Sequence, residues 1–109
     1  MVQANPEAGA RFSGIAPTKE TTAQSERDHF VRQLSGQTKL PTVTANNWQT
    51  LFTLLAQNLP DGKKVILFDE ISWMGSKDHT FLGKLKTIWD TEFKNNPELI
   101  LVLCGSVSS

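Results

Sequence analysis

The chain has 109 residues, eleven basic and eleven acidic, and a formal net charge of zero. That length suits one domain and is short for two. With no long run of one sign, the chain lacks the electrostatic footprint of a nucleic-acid or anionic-membrane binder. Its single cysteine, Cys104, excludes an internal disulfide and a cysteine metal cage. Cys104 sits in an apolar run and reads as a small buried hydrophobe. No apolar stretch nears the roughly 20 residues of a membrane helix. The opening MVQANPEAGAR has neither the basic start nor the apolar segment of a secretory signal, so a cytoplasmic protein is expected.

Residues 1–10, punctuated by Pro6 and Gly9, read as irregular. RFSGI, from Arg11 to Ile15, is a short strand candidate followed by a loop through Pro17. From Thr22 the pattern becomes helical, with Phe30, Val31 and Leu34 on one side and Gly36 as the stop. Ser25, Glu26, Arg27 and Asp28 are expected on its solvated face. After a loop around Pro41, Asn46 or Asn47 caps a second helix whose stripe is Trp48, Leu51, Phe52, Leu54, Leu55 and Leu59. Pro60-Asp61-Gly62 ends it with turn chemistry.

Lys63 and Lys64 lead into Val65–Phe68, four apolar residues in a row. Such a run fits a strand buried on both faces of a parallel sheet. SWMGSKD, from Ser72 to Asp78, reads as a loop. HTFLGKLKTIWDTEFKN then forms an amphipathic helix with Phe81, Leu82, Leu85, Ile88, Trp89 and Phe93 on one face, stopped at Asn95-Asn96-Pro97. Within it, Gly83 costs about 1 kcal/mol relative to alanine. A last apolar strand runs from Leu99 to Cys104 and ends at Gly105-Ser106. This alternation predicts an α/β domain with a parallel sheet. Ligands of such sheets bind beyond the carboxyl ends of the strands, and Asp69-Glu70 and Gly105-Ser106 both fall there.

A strand that ends in Asp-Glu fixes the first carboxylate at a defined depth. Asp69 can hold a magnesium ion through coordinated water, and Glu70 can polarise a water that attacks a terminal phosphate. This is the Walker B pattern. In the plainer reading Asp69 caps the next turn and Glu70 is solvated. Ser106 ends the following strand where many such ATPases sense the terminal phosphate, although a turn serine would look the same. Trp48 and Trp89 lie on apolar helix faces and read as core, while Trp73 is more open. His29 and His79 have no ligand-like spacing with each other or with Cys104. No nucleophile elbow surrounds the terminal serines.

The continuous stretch from Lys63 to Ser109 resembles the core of a prokaryotic, archaeal-type AAA-like P-loop ATPase family, related to STAND and AAA+ proteins. RFSGIAPTKETTAQSERDHFVRQL is similar to the segment after that family's P-loop helix, so the resemblance spans residues 11–109. It implies a three-layer P-loop NTPase-like sheet, here cut to about three strands with flanking helices. The Walker B strand would be residues 65–70 and the sensor strand 99–106. It also implies ATP and Mg2+ as cofactors, with Asp69 as the magnesium-site acid, Glu70 as the catalytic glutamate and Ser106 as the sensor.

No G-x-x-x-x-G-K-[ST] occurs in these 109 residues, whose Gly-Lys pairs are Gly62-Lys63 and Gly83-Lys84. Neither follows a strand and a glycine loop, so neither can cradle phosphates at a helix start. The expectation is an internal segment of an ATPase domain that binds nucleotide weakly and hydrolyses little alone. Its partner would be the rest of that domain or a second, self-associating copy, because the family's sheet order leaves the last strand at an edge. The alternative is a non-catalytic α/β interaction module or remnant that needs a partner.

Overall fold

A computed structural model describes residues 8–59 and 62–105 of the chain. Three parallel strands, β1 (Ala8–Ser13), β2 (Lys64–Asp69) and β3 (Leu99–Leu103), form a sheet in the order β1-β2-β3. Between β1 and β2 lie helices α1 (Ala23–Gln37) and α2 (Trp48–Gln57). Between β2 and β3 lie a single turn, α3 (Ile71–Met74), and α4 (Phe81–Thr91). A 3-10 turn at Phe93–Asn95 follows α4. The chain is thus α/β with a three-stranded parallel sheet and flanking helices. None of the helices among the described residues is long and apolar enough to cross a membrane.

Local chemistry sets the helix starts. Thr22 and Ser25 form a reciprocal capping box at α1, and Asn47 accepts from the Thr50 N–H at 3.0 Å at α2. Before α4, Asp78 accepts from both the backbone N–H and the hydroxyl of Thr80, at 2.8 and 2.6 Å. The hydroxyl bond first, then the N–H bond, holds the Asp78 carboxyl below its ordinary value.

The core is a knot of aromatic rings. Phe30 on α1 stacks on Phe12 of β1, with centroids 4.4 Å apart, and meets Phe68, Phe52 and Trp48 edge-on. Trp48 in turn meets Phe81 of α4 edge-on at 4.8 Å. Phe12, Ile66 and Phe68 project from the same sheet face, and all three long helices contribute buried residues over it. A sheet whose order advances one way, with right-handed crossovers, places its helices on one side.

Several expectations are corrected by this arrangement. Val65, Ile100 and Val102 are exposed on the opposite face, so β2 is covered on one side and the described residues make two layers. Cys104 is exposed, because it follows β3 at the outer strand of the sheet, beyond the part of that strand that packs on the core. Strand β1 begins at Ala8, inside the stretch read as irregular, since register with Lys64 recruits small residues into the ladder. The remainder of that stretch, residues 1–7, lies outside the described residues.

Glu26 and Arg27 are buried, where a solvated face was expected. Glu26 accepts from Ser76 Oγ and the Lys77 N–H at 2.6 and 3.0 Å, and Arg27 donates to the Ala45 carbonyl at 2.9 Å. Both charges are therefore spent tying loops to α1. Part of SWMGSKD is helical, as α3, and the fourth helix ends at Thr91 before the 3-10 turn.

Truncating Phe30 removes the ring shared by sheet and helices, so Phe30→Ala is expected to cost roughly 3 to 5 kcal/mol. Urea unfolding followed by circular dichroism reads this, and a loss below about 1 kcal/mol would contradict the role of the knot. The depressed Asp78 carboxyl makes a second prediction. Its contribution is complete above the ordinary value of 3.8 and fades as pH falls through the lower folded value. The stability gap between wild type and Asp78→Asn should therefore hold near neutrality and narrow below about pH 4 in thermal melts.

Candidate functional site

Both acids stand at the carboxyl end of β2, but their settings differ. Asp69 is the last residue of the strand, and its side chain shares the uncovered face with Arg11 of β1. Arg11 sits two residues before Ser13, the register partner of Asp69, and its guanidinium donates to Asp69 Oδ2 at 2.7 Å. With 65% of the Arg11 side chain and 29% of the Asp69 side chain exposed, the pair contributes at most about 1 kcal/mol. Arg11 can leave Asp69 at little cost if another cation arrives.

Glu70 has the less ordinary geometry. Its backbone is left-handed, with φ 55° and ψ 49°, and it is the one non-glycine residue with positive φ among the described residues. A side chain in that region costs about 1 to 3 kcal/mol. One carboxyl oxygen, Oε1, is buried with no hydrogen-bond partner among the described residues. Two unfavourable features thus coincide on a single residue at the strand end.

The surrounding backbone holds Glu70 there. Its carbonyl accepts from the N–H groups of Trp73 and Met74, closing α3 directly on the strand. Gly14 lies underneath, and a Cβ at that position would sit 2.6 Å from Met74 N and 2.7 Å from Glu70 O. The Gly14 N–H donates to Asp69 O, the Cys104 N–H to Phe68 O, and the Ile71 N–H to Cys104 O. These bonds stitch the ends of all three strands into one rim.

Cys104 and Gly105 are on that rim, beside Ile71. Ser106, the expected sensor, lies outside the described residues. His29 and Trp73 approach the rim from behind, lining a narrow recess with Ser13, Gly14 and Glu26. No family model, curated protein or solved structure matches the chain.

A cavity of about 380 Å³ lies at the opposite end of the strands, lined by Gly9, Gln37, Lys39, Asn58 and Lys64 among others. Neither acid reaches it, and ligands of parallel sheets bind beyond the carboxyl ends. The rim remains the candidate site.

Arg11 and Gly14 are the rim residues that sequence reading passed over. Arg11 meets Asp69 only because both occupy odd positions in strands whose register became known with the sheet. For Gly14, a glycine directly after a strand was the available signal, since close backbone approach is a standard reason for one.

Replacing Glu70 with glycine relieves the left-handed strain and removes the unpaired oxygen. Glu70→Gly is expected to stabilise the fold by roughly 1 kcal/mol, read as a raised thermal midpoint. Gly14→Ala should lower it, because the new methyl meets backbone and not a movable side chain. A Glu70→Gly midpoint at or below wild type would show that the strain is not borne there.

Proposed function

We infer that this chain is the acid-and-sensor portion of an AAA-like P-loop ATPase domain. The observation that carries the reading is Glu70, strained in its backbone and holding a buried, unpaired carboxyl oxygen directly after a strand that ends in Asp69. Stability is given up at that residue's side chain, as expected where a carboxylate is held for chemistry.

The donor set suits Mg2+, a hard cation that prefers carboxylate oxygen and keeps much of its water. Among the described residues no three or more His, Cys, Asp or Glu converge into a metal cage. Asp69 would hold the ion through water, exchanging its ion pair with Arg11. Held there, such an ion would supply positive charge against phosphate oxygens. Glu70 would orient a water, its unpaired Oε1 supplying the acceptor, and Ser106 would be the sensor. The edge of β3 left open among the described residues and the exposed apolar face of Val65, Ile100 and Val102 offer room for the rest of such a domain.

A non-catalytic interaction module is the second reading, favoured by that same open edge. Titration with MgATP followed by amide NMR separates the two. The ATPase reading expects rim signals from Asp69 to Trp73 to move at about millimolar ligand, where binding is worth only some 4 kcal/mol. Asp69→Asn should remove the shifts, and phosphate release should stay at background without a phosphate-cradling loop. Rim signals that ignore MgATP would overturn it.

A further inference from the structure

The two edges of the sheet are treated differently. On β1, the outward backbone groups of Arg11 and Ser13 are occupied by side-chain amides from α1. Gln37 accepts from the Arg11 N–H at 2.7 Å and donates to the Arg11 carbonyl at 2.8 Å. Gln33 does the same for Ser13, at 2.7 and 3.1 Å. The match is geometric: four helical residues rise about 6 Å, and two strand residues advance about 6.6 Å. Two glutamines one turn apart thus imitate a fourth strand and close that edge.

Among the described residues, strand β3 has no such cover. Glu98 O, Cys104 N–H and Cys104 O all bond toward β2 or the rim, so the even-numbered residues face inward. The backbone groups of Leu101 and Leu103 face outward, unpaired among the described residues. On the helix side, Leu101 and Leu103 line a groove of about 340 Å³ with Leu82, Leu85 and Trp89. On the other side Ile100 and Val102 are exposed. Residues 99–105 include no charge and no proline, the usual guards of an edge strand.

We propose that β3 pairs antiparallel with β3 of a second copy, about a two-fold axis at Val102, merging two sheets into one closed dimer. Leu101 of each copy lies opposite Leu103 of the other, and each residue of the pair gives one N–H and one C=O. Outward backbone groups select an extended strand over a helix. The strand is also its own complement under that rotation, since Leu101 and Leu103 exchange places while Val102 meets itself. A chain of zero net charge adds no repulsion between copies. Because glutamines hold the outward groups of Arg11 and Ser13 on β1, pairing at β3 takes the edge left open among the described residues and stops at two copies. The inference does not rest on the nucleotide reading, and it gives the β3 edge to a second copy instead of to the rest of an ATPase domain.

Size-exclusion chromatography with light scattering on the 109-residue chain, over about 1 to 100 µM, is expected to give twice the chain mass. Leu101→Pro removes an outward N–H that β2 does not use, a change an edge strand tolerates. It should give a monomer with an unchanged circular-dichroism spectrum. Leu103→Lys, which sets a charge at the seam, should do the same and covers the case in which proline unfolds the chain. Gln33→Leu with Gln37→Leu opens the second edge and should give species larger than two copies. A wild-type monomer throughout would overturn the proposal and leave the edge to a strand from elsewhere. So would wild-type species above two copies, or a dimer that survives both β3 variants.

Discussion

The stacking of Phe30 on Phe12, with Phe68, Phe52 and Trp48 standing edge-on around it, is the contact through which sheet and helices meet. A three-stranded sheet with one covered face has little apolar area to bury, so a few large rings must supply it. The knot fixes α1 over β1 and α2 over β2, and α4 joins through Phe81. With the helices so placed, the strand ends come level and the rim of Asp69, Glu70 and Cys104 is positioned. The paired glutamines depend on the same placement, since they reach the edge of β1 only because Phe30 holds α1 above it.

The rim holds the residue on which two unfavourable features coincide, while the other buried unpartnered atoms, Ser35 Oγ and Trp48 Nε1, lie elsewhere among the described residues. Glu70 combines left-handed backbone with an unpaired carboxyl oxygen, while Gly14 beneath it leaves no space for relaxation. Strain held in place by close packing is a different matter from strain in a free loop, because the surroundings over-determine it. Arg11 adds contrast: its pair with Asp69 is open to solvent and exchangeable, whereas Glu70 is fixed.

Much of the fold was legible because its helices obey a 3.6-residue period and its strands are short apolar runs bounded by charge or turn residues. Asn47 as a cap, Trp48 at the centre of the core and Leu99 as the start of the last strand all follow from local rules. What sequence could not convey was the environment. The run Val65–Phe68 is apolar throughout and reads as buried on both faces, yet Val65 is 43% exposed because the crossovers lie on one side. Glu26 and Arg27 look like surface charges until loops far along the chain arrive to bond them. The acids were visible as a motif, whereas the strain at Glu70 depends on α3 closing directly onto the strand, and that segment had read as loop.

The glutamine pair on α1 also bears on the order in which the chain is made. Gln33 and Gln37 lie 20 and 26 residues beyond the backbone groups they hold, whereas β1 waits for β2 until the chain has grown past α1 and α2. Local contacts form ahead of distant ones, and synthesis proceeds from the amino terminus. A nascent β1–α1 unit can therefore close the outer side of its strand early and keep the inner side for β2. The same amides that end the sheet in the finished protein would act during translation as a temporary guard, halving the exposed edge while the rest of the sheet is still unsynthesised.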